Sequence, residues 1–538
     1  MVPTPEHRRV LIVVGLLVLA ALLWLRPSLQ PRGAALPEAS SLRFPCLSYS
    51  PFHTRGLSPV SEGIIIPASV LEHDLRQLAG VTDCVRIYGT ANGLDQIPAI
   101  AGRLGMRVWL GAWIGSNTAR NQQEIARALA LAQQYQPQVE RLIIGSEVLL
   151  RGEQSPEALA SLLGEALKRS PVPVAYADVW EVWQRHHATL AAHVNEAVVH
   201  ILPYWEDQPV GINQALAHVI GTYTRMQTVL APLPVVIGET GWPAAGRMRG
   251  PARPGTQEQA HFLRELLKHQ QHTALPLNVI EAFDQPWKAS LEGTAGSAWG
   301  VFTAEGQPRF RASGEAPSAL APAQPGLRGL CALAGALLML VLVWRGRRLF
   351  SAYSSSVLAA LAGGAALGLL CAMALLELSL LSPFTASWNW RALGVCLSMS
   401  WAVLELRWLC AQLAIKSPEY SDRAATASEP TITFWRIAGM TGVALYALLL
   451  VIDGRYVDLA WSLLAAPIVP RALQRLLPTS PERHVAAMNL GGLTIVVLAV
   501  AVVWREGSAN TDALAVAALL LLLALSSVCW QWRGAERA

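Results

Sequence analysis

Residues 141–147 read RLIIGSE, and residues 235–239 read VVIGE. Each is a short, mostly apolar run that ends on a carboxylate, with a glycine one or two positions before it. Such a run is typical of a buried parallel strand, and a charged residue at its end falls where the strand leaves the core. We therefore interpret both runs as strands that end on Glu147 and Glu239.

Six further β-rich runs alternate with amphipathic helical patterns such as NQQEIARALALAQQY. The eight predicted strands are residues 44–50, 84–88, 107–113, 142–147, 172–176, 198–202, 235–239 and 278–283. Eight such repeats in about 270 residues match an α/β fold, the (β/α)8 TIM barrel. Doubly wound sheets alternate in the same way, but no G-x-G-x-x-G or P-loop follows any strand, which excludes the usual nucleotide sites.

The C-terminal part of the chain has a different composition. Of the 538 residues, 53% are hydrophobic and 15% are charged, against about a quarter charged in an average soluble domain. A membrane-spanning helix needs about 20 mostly apolar residues. Seven runs are candidates, of which the fifth is short: residues 327–344, 356–381, 393–413, 436–452, 458–470, 484–503 and 512–530. An all-α, polytopic membrane domain is therefore predicted.

Residues 10–25 are also apolar and follow His7, Arg8 and Arg9. This pattern fits a cleaved signal peptide or a retained anchor, and we favour the anchor because no clean A-x-A site precedes the Pro-rich residues 27–37. The predicted organisation is an N-terminal anchor and linker (1–39), a barrel domain (40–312), a linker (313–326) and a membrane domain of about seven helices (327–538).

Positive charges indicate the orientation of these spans, because Lys and Arg are enriched in cytoplasmic loops. We place the N-terminus inside the cell and count eight spans, the anchor and the seven C-terminal runs. The outside loops then carry one cation each, Arg391, Arg455 and Arg505. The remaining loop cations fall inside: Arg345, Arg347, Arg348, Lys416, Arg423, Arg471, Arg475, Arg483, Arg533 and Arg537. The barrel then faces the periplasm from a bacterial inner membrane, with membrane lipid as a partner. These loops account for the net charge of +5, so no nucleic-acid partner is predicted.

Two of the seven cysteines, Cys46 and Cys84, lie in the barrel domain. Each begins an apolar, strand-like run, so the two residues are neighbours if the strands pair. An oxidising compartment favours a disulfide between them. Two free, buried thiols are the alternative.

Two carboxylates across a barrel mouth suit the cleavage of a glycosidic bond, where one acts as an acid and the other as a nucleophile or base. Aromatic residues support a sugar site, because flat rings bind the apolar faces of sugars. Trp242 and Trp287 each follow a predicted strand closely and are the preferred candidates. Alternatively, the glutamates are solvated loop residues or helix caps, and the tryptophans only pack.

Several motifs together resemble one known family. VVIGETGWPAAGR (235–247) is similar to the nucleophile signature of glycoside hydrolase family 17, the β-1,3-glucanases, and VERLIIGSEVLLRGE (139–153) is similar to its acid/base segment. VRIYG (85–89), VHILPYWED (199–207) and NVIEAFDQPWKASLEGTAGSAWGVF (278–302) extend the resemblance in the expected order. The arrangement is particularly close to bacterial membrane-bound members with C-terminal spans, which act on β-glucans during synthesis.

The resemblance implies a retaining double displacement that needs no cofactor, with Glu239 as nucleophile and Glu147 as general acid/base. A proton donor works best with a raised pKa, and the nearby charge of Glu239 is expected to raise the pKa of Glu147. Tyr204 is expected to be a hydrogen-bond partner of the nucleophile. A polar cluster is expected to orient sugar hydroxyls, or else to be a salt-linked loop: Glu281, Asp284, Lys288 and Glu292.

Ser146 departs from the pattern of the family's clan. There the residue before the acid/base is usually an asparagine, whose amide binds the sugar 2-hydroxyl in the transition state. Ser146 is shorter and has a single donor. We expect it to lie at the substrate, where either a water fills the gap left by the shorter side chain or the reaction is slower.

The sequence is compatible with three functions. A β-1,3-glucan transglycosylase that elongates or branches nascent glucan, with β-1,6 links as one outcome, suits the membrane setting, which would also allow a glucan synthase as partner. Endo-hydrolysis is the second reading, and an impaired glucan-binding or synthase-associated scaffold is the third. Glu377, Glu405 and Arg407 in apolar runs raise transport as a minor alternative. No metal site is predicted, because His186, His187, His193 and His200 lack an H-E-x-x-H arrangement.

The departure at position 146 generates a prediction. Ser146→Asn leaves the fold intact and raises turnover, because it restores an amide at the sugar 2-hydroxyl. Steady-state kinetics on β-glucan oligosaccharides measure this change. An unchanged or lower rate shows instead that serine is adapted to this site.

Overall fold

A computed structural model of the chain describes residues 36–61, 63–316, 418–459 and 485–528, and isolated positions at 397–405 and 464–471. The chain divides into two compact units, one of which is Gly33–Ala319. The described C-terminal helices belong to the other unit. Each unit is described by itself below.

Eight parallel strands close into a barrel, in which each strand pairs with the next and the last returns to the first. The strands are β1 (Leu47–Ser48), β2 (Cys84–Ile87), β3 (Arg107–Ala112), β4 (Val139–Ser146), β5 (Val174–Val179), β6 (Glu196–His200), β7 (Val235–Thr240) and β8 (Leu277–Val279). The predicted TIM barrel is therefore confirmed. Each of the eight predicted runs overlaps a strand, and the first and last strands are much shorter than predicted.

Helices connect the strands and cover the outside of the barrel. They are α1 (Ala68–Ala79), α2 (Ile97–Arg103), α3 (Thr118–Gln134), α4 (Pro156–Arg169), α5 (Trp180–Leu190), α6 (Ile212–Leu230), α7 (Thr256–Gln270) and α8 (Ala289–Gly296), with 3-10 turns at Leu94–Gln96, Ala191–His193 and Pro286–Lys288. Local sequence explains two starts: the side chains of Asn117 and Ser155 accept from the backbone N–H three residues later. The apolar faces of the helices pack on the strands in one continuous core.

The amino end of the barrel interior is filled by a small apolar cluster that contains Cys46, Cys84, Trp109 and Val198. Cys46 directly precedes β1, and Cys84 begins β2. The two are joined by a disulfide with their Cα atoms 4.5 Å apart. This bond links the first two strands at the end of the barrel opposite Glu147 and Glu239.

The described C-terminal residues form the helices α9 (Pro418–Asp453), α10 (Val485–Glu506) and α11 (Thr511–Val528), with a 3-10 turn at Gly454–Tyr456. Two segments, Thr431–Ile452 and Ala486–Glu506, are long and apolar enough to cross a membrane. They contain or overlap the predicted runs 436–452 and 484–503, and the shorter α11 lies in the run 512–530. The runs 10–25, 327–344 and 356–381, and most of 393–413 and 458–470, lie outside the described residues.

Glu405 is fully buried in this second unit and is paired with Arg436, whose Nε lies 2.9 Å from its carboxylate. Trp401 Nε1 donates to the same carboxylate at 3.2 Å, and Arg471 Nη1 lies 3.6 Å away. An intramembrane carboxylate needs such compensation. Glu405 therefore forms a buried ion pair, which makes this residue weaker evidence for transport. Arg471, which was predicted to be a loop cation, is buried beside this pair. Glu377 and Arg407 lie outside the described residues.

The disulfide generates a stability prediction. Its partners are 38 positions apart, and closing a loop of that length stabilises a fold by about 4 kcal/mol. The double variant Cys46→Ala, Cys84→Ala should lower the melting temperature of the barrel in the full-length protein by roughly 5–10 °C. Thermal unfolding followed by tryptophan fluorescence, with and without reductant, measures this shift.

Reductant should lower the melting temperature of the parent protein and leave the double variant unchanged. Equal melting temperatures for the parent and the double variant under oxidising conditions contradict the assignment of a stabilising disulfide.

Candidate active site

Glu147 and Glu239 meet at the carboxyl end of the barrel, as the strand pattern predicts. One side-chain oxygen of each lies within 4.8 Å of the other and of a ring nitrogen of His200, the last residue of β6. Glu239 is buried, whereas the side chain of Glu147 is 28% exposed to solvent. The two carboxylates therefore converge on one small space that remains open at Glu147.

The backbone turns sharply at Glu147. Gly145 has a φ of 82° and Glu147 a φ of 55°, both in the left-handed region, which costs a non-glycine residue about 1–2 kcal/mol. A Cβ at position 145 would lie 2.6 Å from Val148 Cγ2, so glycine is required there. The Glu147 N–H donates to the Ala177 carbonyl at 2.8 Å, which holds the turn against β5.

Two side chains donate hydrogen bonds to Glu239: Arg86 from β2, and Tyr88, the residue directly after β2. Tyr88 Oη donates to Glu239 Oε1 at 2.8 Å, and Arg86 Nη1 donates to the same oxygen at 3.1 Å. Arg86 also reaches Ser146, whose Oγ accepts from Nη2 at 3.1 Å. Arg86 is buried, so its positive charge faces Glu239 with little solvent screening.

His200 lies between the two carboxylates. Its Nδ1 is 2.8 Å from Glu147 Oε1, and its Nε2 is 3.6 Å from Glu239 Oε1 and 3.2 Å from Arg86 Nη1. Three ligand-type side chains at this spacing can hold a metal ion in other sites. Here the guanidinium of Arg86 already supplies a cation next to Glu239 and His200, so the residues fit proton chemistry better than metal binding.

The expectation of a raised pKa for Glu147 is wrong. Burial raises the pKa of this carboxyl, but the hydrogen bond from His200 and the charges of Arg151 and Arg86 outweigh it and lower the pKa below its ordinary value. Glu147 therefore favours its ionised form in this arrangement, which is the form that a general base requires.

The predicted polar cluster divides into two parts. Lys288 Nζ lies 3.1 Å and 3.2 Å from the two carboxylate oxygens of Glu281, and burial raises the pKa of Glu281 to about 7 despite this pair. Burial also raises the pKa of Glu292 to about 6, against the charge of Lys288 and assisted by those of Glu147 and Glu239. Glu292 therefore acts on both central carboxylates, Lys288 acts on Glu239, and Glu281 is joined to them through Lys288.

Asp284 belongs to the other part. It is ion-paired with Arg309 and accepts from the Gly300 N–H at 3.0 Å. Both of its oxygens are engaged in holding the loop after β8, so the salt-linked alternative describes Asp284 better than the substrate-binding one.

Two predictions for aromatic residues are wrong. Tyr204 is fully buried and its hydroxyl donates to the Arg247 carbonyl at 2.8 Å, while Tyr88 takes the predicted position at Glu239. Trp242 is also fully buried, with its Nε1 donating to the Arg253 carbonyl at 2.9 Å. A ring with no exposed face cannot be a sugar platform, so Trp242 is a packing residue.

Trp113 and Trp287 are two of the tryptophans that keep exposed surface at the carboxyl end; Trp180 and Trp205, after β5 and β6, are half-buried as well. Trp287 is half-buried and its Nε1 donates to Gln285 Oε1 at 2.9 Å. Trp113, directly after β3, is 47% exposed, and the Arg151 guanidinium lies 4.3 Å from its ring centroid. Arg151 also donates to the Ser146 carbonyl, so the supported Trp113 ring is tied to the loop that carries Glu147.

Sequence reasoning missed Arg86, Tyr88 and His200. Arg86 and His200 interrupt apolar strand runs, in CVRI and EAVVH. A charged or polar side chain in a buried strand is uncommon unless it has a partner, so these interruptions were a usable signal. Nothing in the sequence marks Tyr88 rather than Tyr204 as the partner of Glu239, because each tyrosine lies one to four positions past the end of a strand.

The family comparison matches residues 46–300 to the BtgE/BtgC glycoside hydrolase domain. This segment begins one residue before β1 and extends beyond β8, so it covers the closed barrel and the residues of the candidate site.

The similar curated proteins are fungal. The glucan 1,3-β-glucosidase of Schizosaccharomyces pombe is 27% identical over 230 residues, which are 40% of this chain and 72% of that protein. The glucan 1,3-β-glucosidase of Arthroderma benhamiae is 28% identical over 45% of this chain and 83% of that protein. The probable β-glucosidase btgE of Aspergillus fumigatus is 26% identical over 40% of this chain, but this segment is 39% of that protein.

Among solved structures, a glycoside hydrolase family 17 β-1,3-glucanosyltransferase from Rhizomucor miehei is 25% identical, with a TM-score of 0.43 over 50% of this chain and 96% of that chain. The resemblance seen in the motifs is confirmed for the barrel by the family match and the curated relatives, whereas the bacterial membrane-bound type stays a prediction. Residues 46–300 therefore match a glycoside hydrolase domain, and the barrel resembles β-1,3-glucan-processing enzymes of the glycoside hydrolase family 17 type.

Proposed function

We propose that this protein is a retaining β-1,3-glucan transglycosylase that elongates or branches glucan chains. The observation that carries the proposal is the approach of Glu147 and Glu239, with one oxygen of each within 4.8 Å, in the mouth of a barrel of the family 17 type. Retaining glycosidases hold their carboxyl groups about 5–5.5 Å apart, whereas inverting enzymes need about 6.5–9.5 Å to admit a water. The names of the relatives support β-1,3-glucan as the substrate.

In the first step, the Glu239 carboxylate attacks the anomeric carbon of a bound glucan. The bond from that carbon to the glycosidic oxygen breaks, and the leaving oxygen takes the proton of Glu147. The products are a glycosyl ester on Glu239 and a released chain end. Tyr88 and Arg86 orient the attacking carboxylate through their bonds to Oε1.

In the second step, the Glu147 carboxylate removes a proton from a hydroxyl of a second sugar. That oxygen attacks the anomeric carbon and the ester bond breaks, which restores the Glu239 carboxylate and forms a new glycosidic link. A lowered pKa of Glu147, caused by His200 against the effect of burial, suits this step because it favours the base form.

Sugar rings are expected to bind along the exposed side of the site. Trp113 presents an exposed ring supported by Arg151 and replaces Trp242 as the preferred platform, and Trp287 keeps its predicted role. Lys288, Glu281 and Glu292 supply donors and acceptors for sugar hydroxyls, with Ser146 beside Glu147.

The membrane setting favours transfer over digestion. The two apolar segments long enough to span a membrane support attachment of the protein to a membrane. We propose an inner-membrane location with the barrel in the periplasm, in contact with lipid and with a glucan synthase as a candidate partner. Endo-hydrolysis is the alternative, because several relatives carry the name glucosidase and one carries the name glucan endo-1,3-β-glucosidase.

Product analysis with laminari-oligosaccharides tests the proposal. The parent protein should yield chains longer than the substrate, and Glu239→Gln should abolish both long and short products because the amide is a poor nucleophile. Glu196→Gln is the matched control, since it makes the same change at the start of β6, at the opposite end of the barrel, and should keep the products. Only shorter products reject transfer, and an active Glu239→Gln variant rejects the mechanism.

Tyr88→Phe tests the assignment of the nucleophile's partner. It removes a hydrogen bond to a charged group, worth about 1.5–3 kcal/mol, so kcat/KM should fall roughly 10- to 150-fold. Tyr204→Phe removes a hydroxyl that donates to the Arg247 carbonyl and should change kcat/KM by less than about threefold. A larger loss in Tyr204→Phe than in Tyr88→Phe contradicts this assignment.

A further inference from the structure

His200 is the one residue at the carboxyl end that contacts Glu147 and also lies close to Glu239 and Arg86, within the part of the chain that the structure describes. Its side chain is completely buried. Its Nδ1 lies 2.8 Å from Glu147 Oε1, and its Nε2 lies 3.2 Å from Arg86 Nη1. The mechanism proposed above uses both glutamates and leaves the task of this imidazole open.

The partners of His200 fix where its ring proton lies. An arginine side chain only donates and stays charged, so the lone pair of Nε2 faces Arg86 Nη1. That nitrogen shares its two protons among Nε2, the Gly238 carbonyl at 2.8 Å and Glu239 Oε1 at 3.1 Å. The ring proton then lies on Nδ1 and is donated to Glu147 Oε1. A proton on Nε2 as well would place an imidazolium against the guanidinium at 3.2 Å, which is unfavourable in a buried site.

Packing prevents the ring from turning away. A Cβ on Gly238 would lie 2.9 Å from His200 Cδ2 and 3.2 Å from Nε2, so the ring rests directly on the backbone of β7. That Cβ would also lie 2.2 Å from Val198 Cγ1, so glycine at position 238 makes the room that the imidazole occupies.

We propose that His200, in its neutral Nδ1–H form, is a positioning residue that fixes Glu147 Oε1, so that Oε2 carries the catalytic proton in both half-reactions. This inference rests on the proposed acid/base role of Glu147. Oε1 accepts from Nδ1–H whether Glu147 is ionised or protonated, because a protonated carboxyl keeps an accepting oxygen. Oε2 therefore gives its proton to the leaving oxygen and takes one from the acceptor hydroxyl.

The bond from His200 also affects the acidity of Glu147. The charged or titratable groups that act on Glu147 come from six elements or the loops after them: Arg86, Arg151, Asp178, His200, Glu239 and Glu292. Among the contributions that lower the pKa of Glu147 against burial, the hydrogen bond from His200 is the largest. Loss of the Nδ1 donor should therefore raise the pKa of Glu147 and move the alkaline limb of the pH profile upward.

Two amide variants separate positioning from packing. The amide nitrogen of asparagine falls near the place of Nδ1, and that of glutamine near the place of Nε2. His200→Asn keeps a donor to Glu147, whereas His200→Gln loses it but fills more of the ring's volume. Each is compared with the parent protein in kcat/KM against pH, on laminari-oligosaccharides and on a dinitrophenyl β-laminaribioside, whose leaving group needs no proton.

His200→Asn should keep the alkaline limb and lose less than about threefold on the oligosaccharides. His200→Gln should lose about 10- to 100-fold on the oligosaccharides, little on the dinitrophenyl glycoside, and should shift the alkaline limb upward by roughly one pH unit.

Equal losses in the two variants on both substrates, with an unchanged alkaline limb, overturn the positioning role and leave His200 as a packing residue. A parent protein that cleaves neither substrate overturns the proposed function and, with it, this role. Melting temperatures within a few degrees of the parent show that the comparison concerns folded enzymes.

Discussion

The buried guanidinium of Arg86 is the constraint on which the barrel mouth depends. Acidic side chains converge there in a low-dielectric space, where like charges repel and burial disfavours ionisation. Arg86 places a permanent positive charge 3.1 Å from Glu239 and contacts Ser146 and His200 at 3.1 Å and 3.2 Å. It thereby connects the ends of β4, β6 and β7, so one side chain from β2 organises the residues that the other strands bring together.

The carboxyl groups around Arg86 differ in the direction of their pKa shifts. Beside His200, Arg151 and Arg86 the pKa of Glu147 is lowered despite burial. Glu281 and Glu292 have pKa values raised by burial to about 7 and about 6, although Lys288 opposes both shifts. The site therefore combines an ionised carboxylate with groups that titrate near neutrality. Such pairs of separated pKa values are the pattern that acid/base chemistry requires.

The alternation of apolar strand runs and the residues at their ends were enough to predict the barrel and its two central carboxylates. The barrel and the meeting of Glu147 with Glu239 follow from apolar runs that end on carboxylates. The role of a residue two or three positions past a strand depends on how the loop folds back, which the sequence does not encode. Trp242 and Tyr204 turn into the core for this reason, and Tyr88 occupies the place predicted for Tyr204. The direction of the Glu147 pKa shift likewise depended on His200, a contact between strands 53 positions apart.

The central claim is that Glu239 forms a covalent glycosyl intermediate. Incubation of the full-length protein with a 2-deoxy-2-fluoro-laminaribiosyl fluoride, followed by peptide mass spectrometry, tests it most directly, because the fluorine slows breakdown of the ester. One added disaccharide is expected on the peptide that contains Glu239, and none in Glu239→Gln. A label on Glu281 or Glu292, or turnover of the substrate with no labelled peptide, would contradict it.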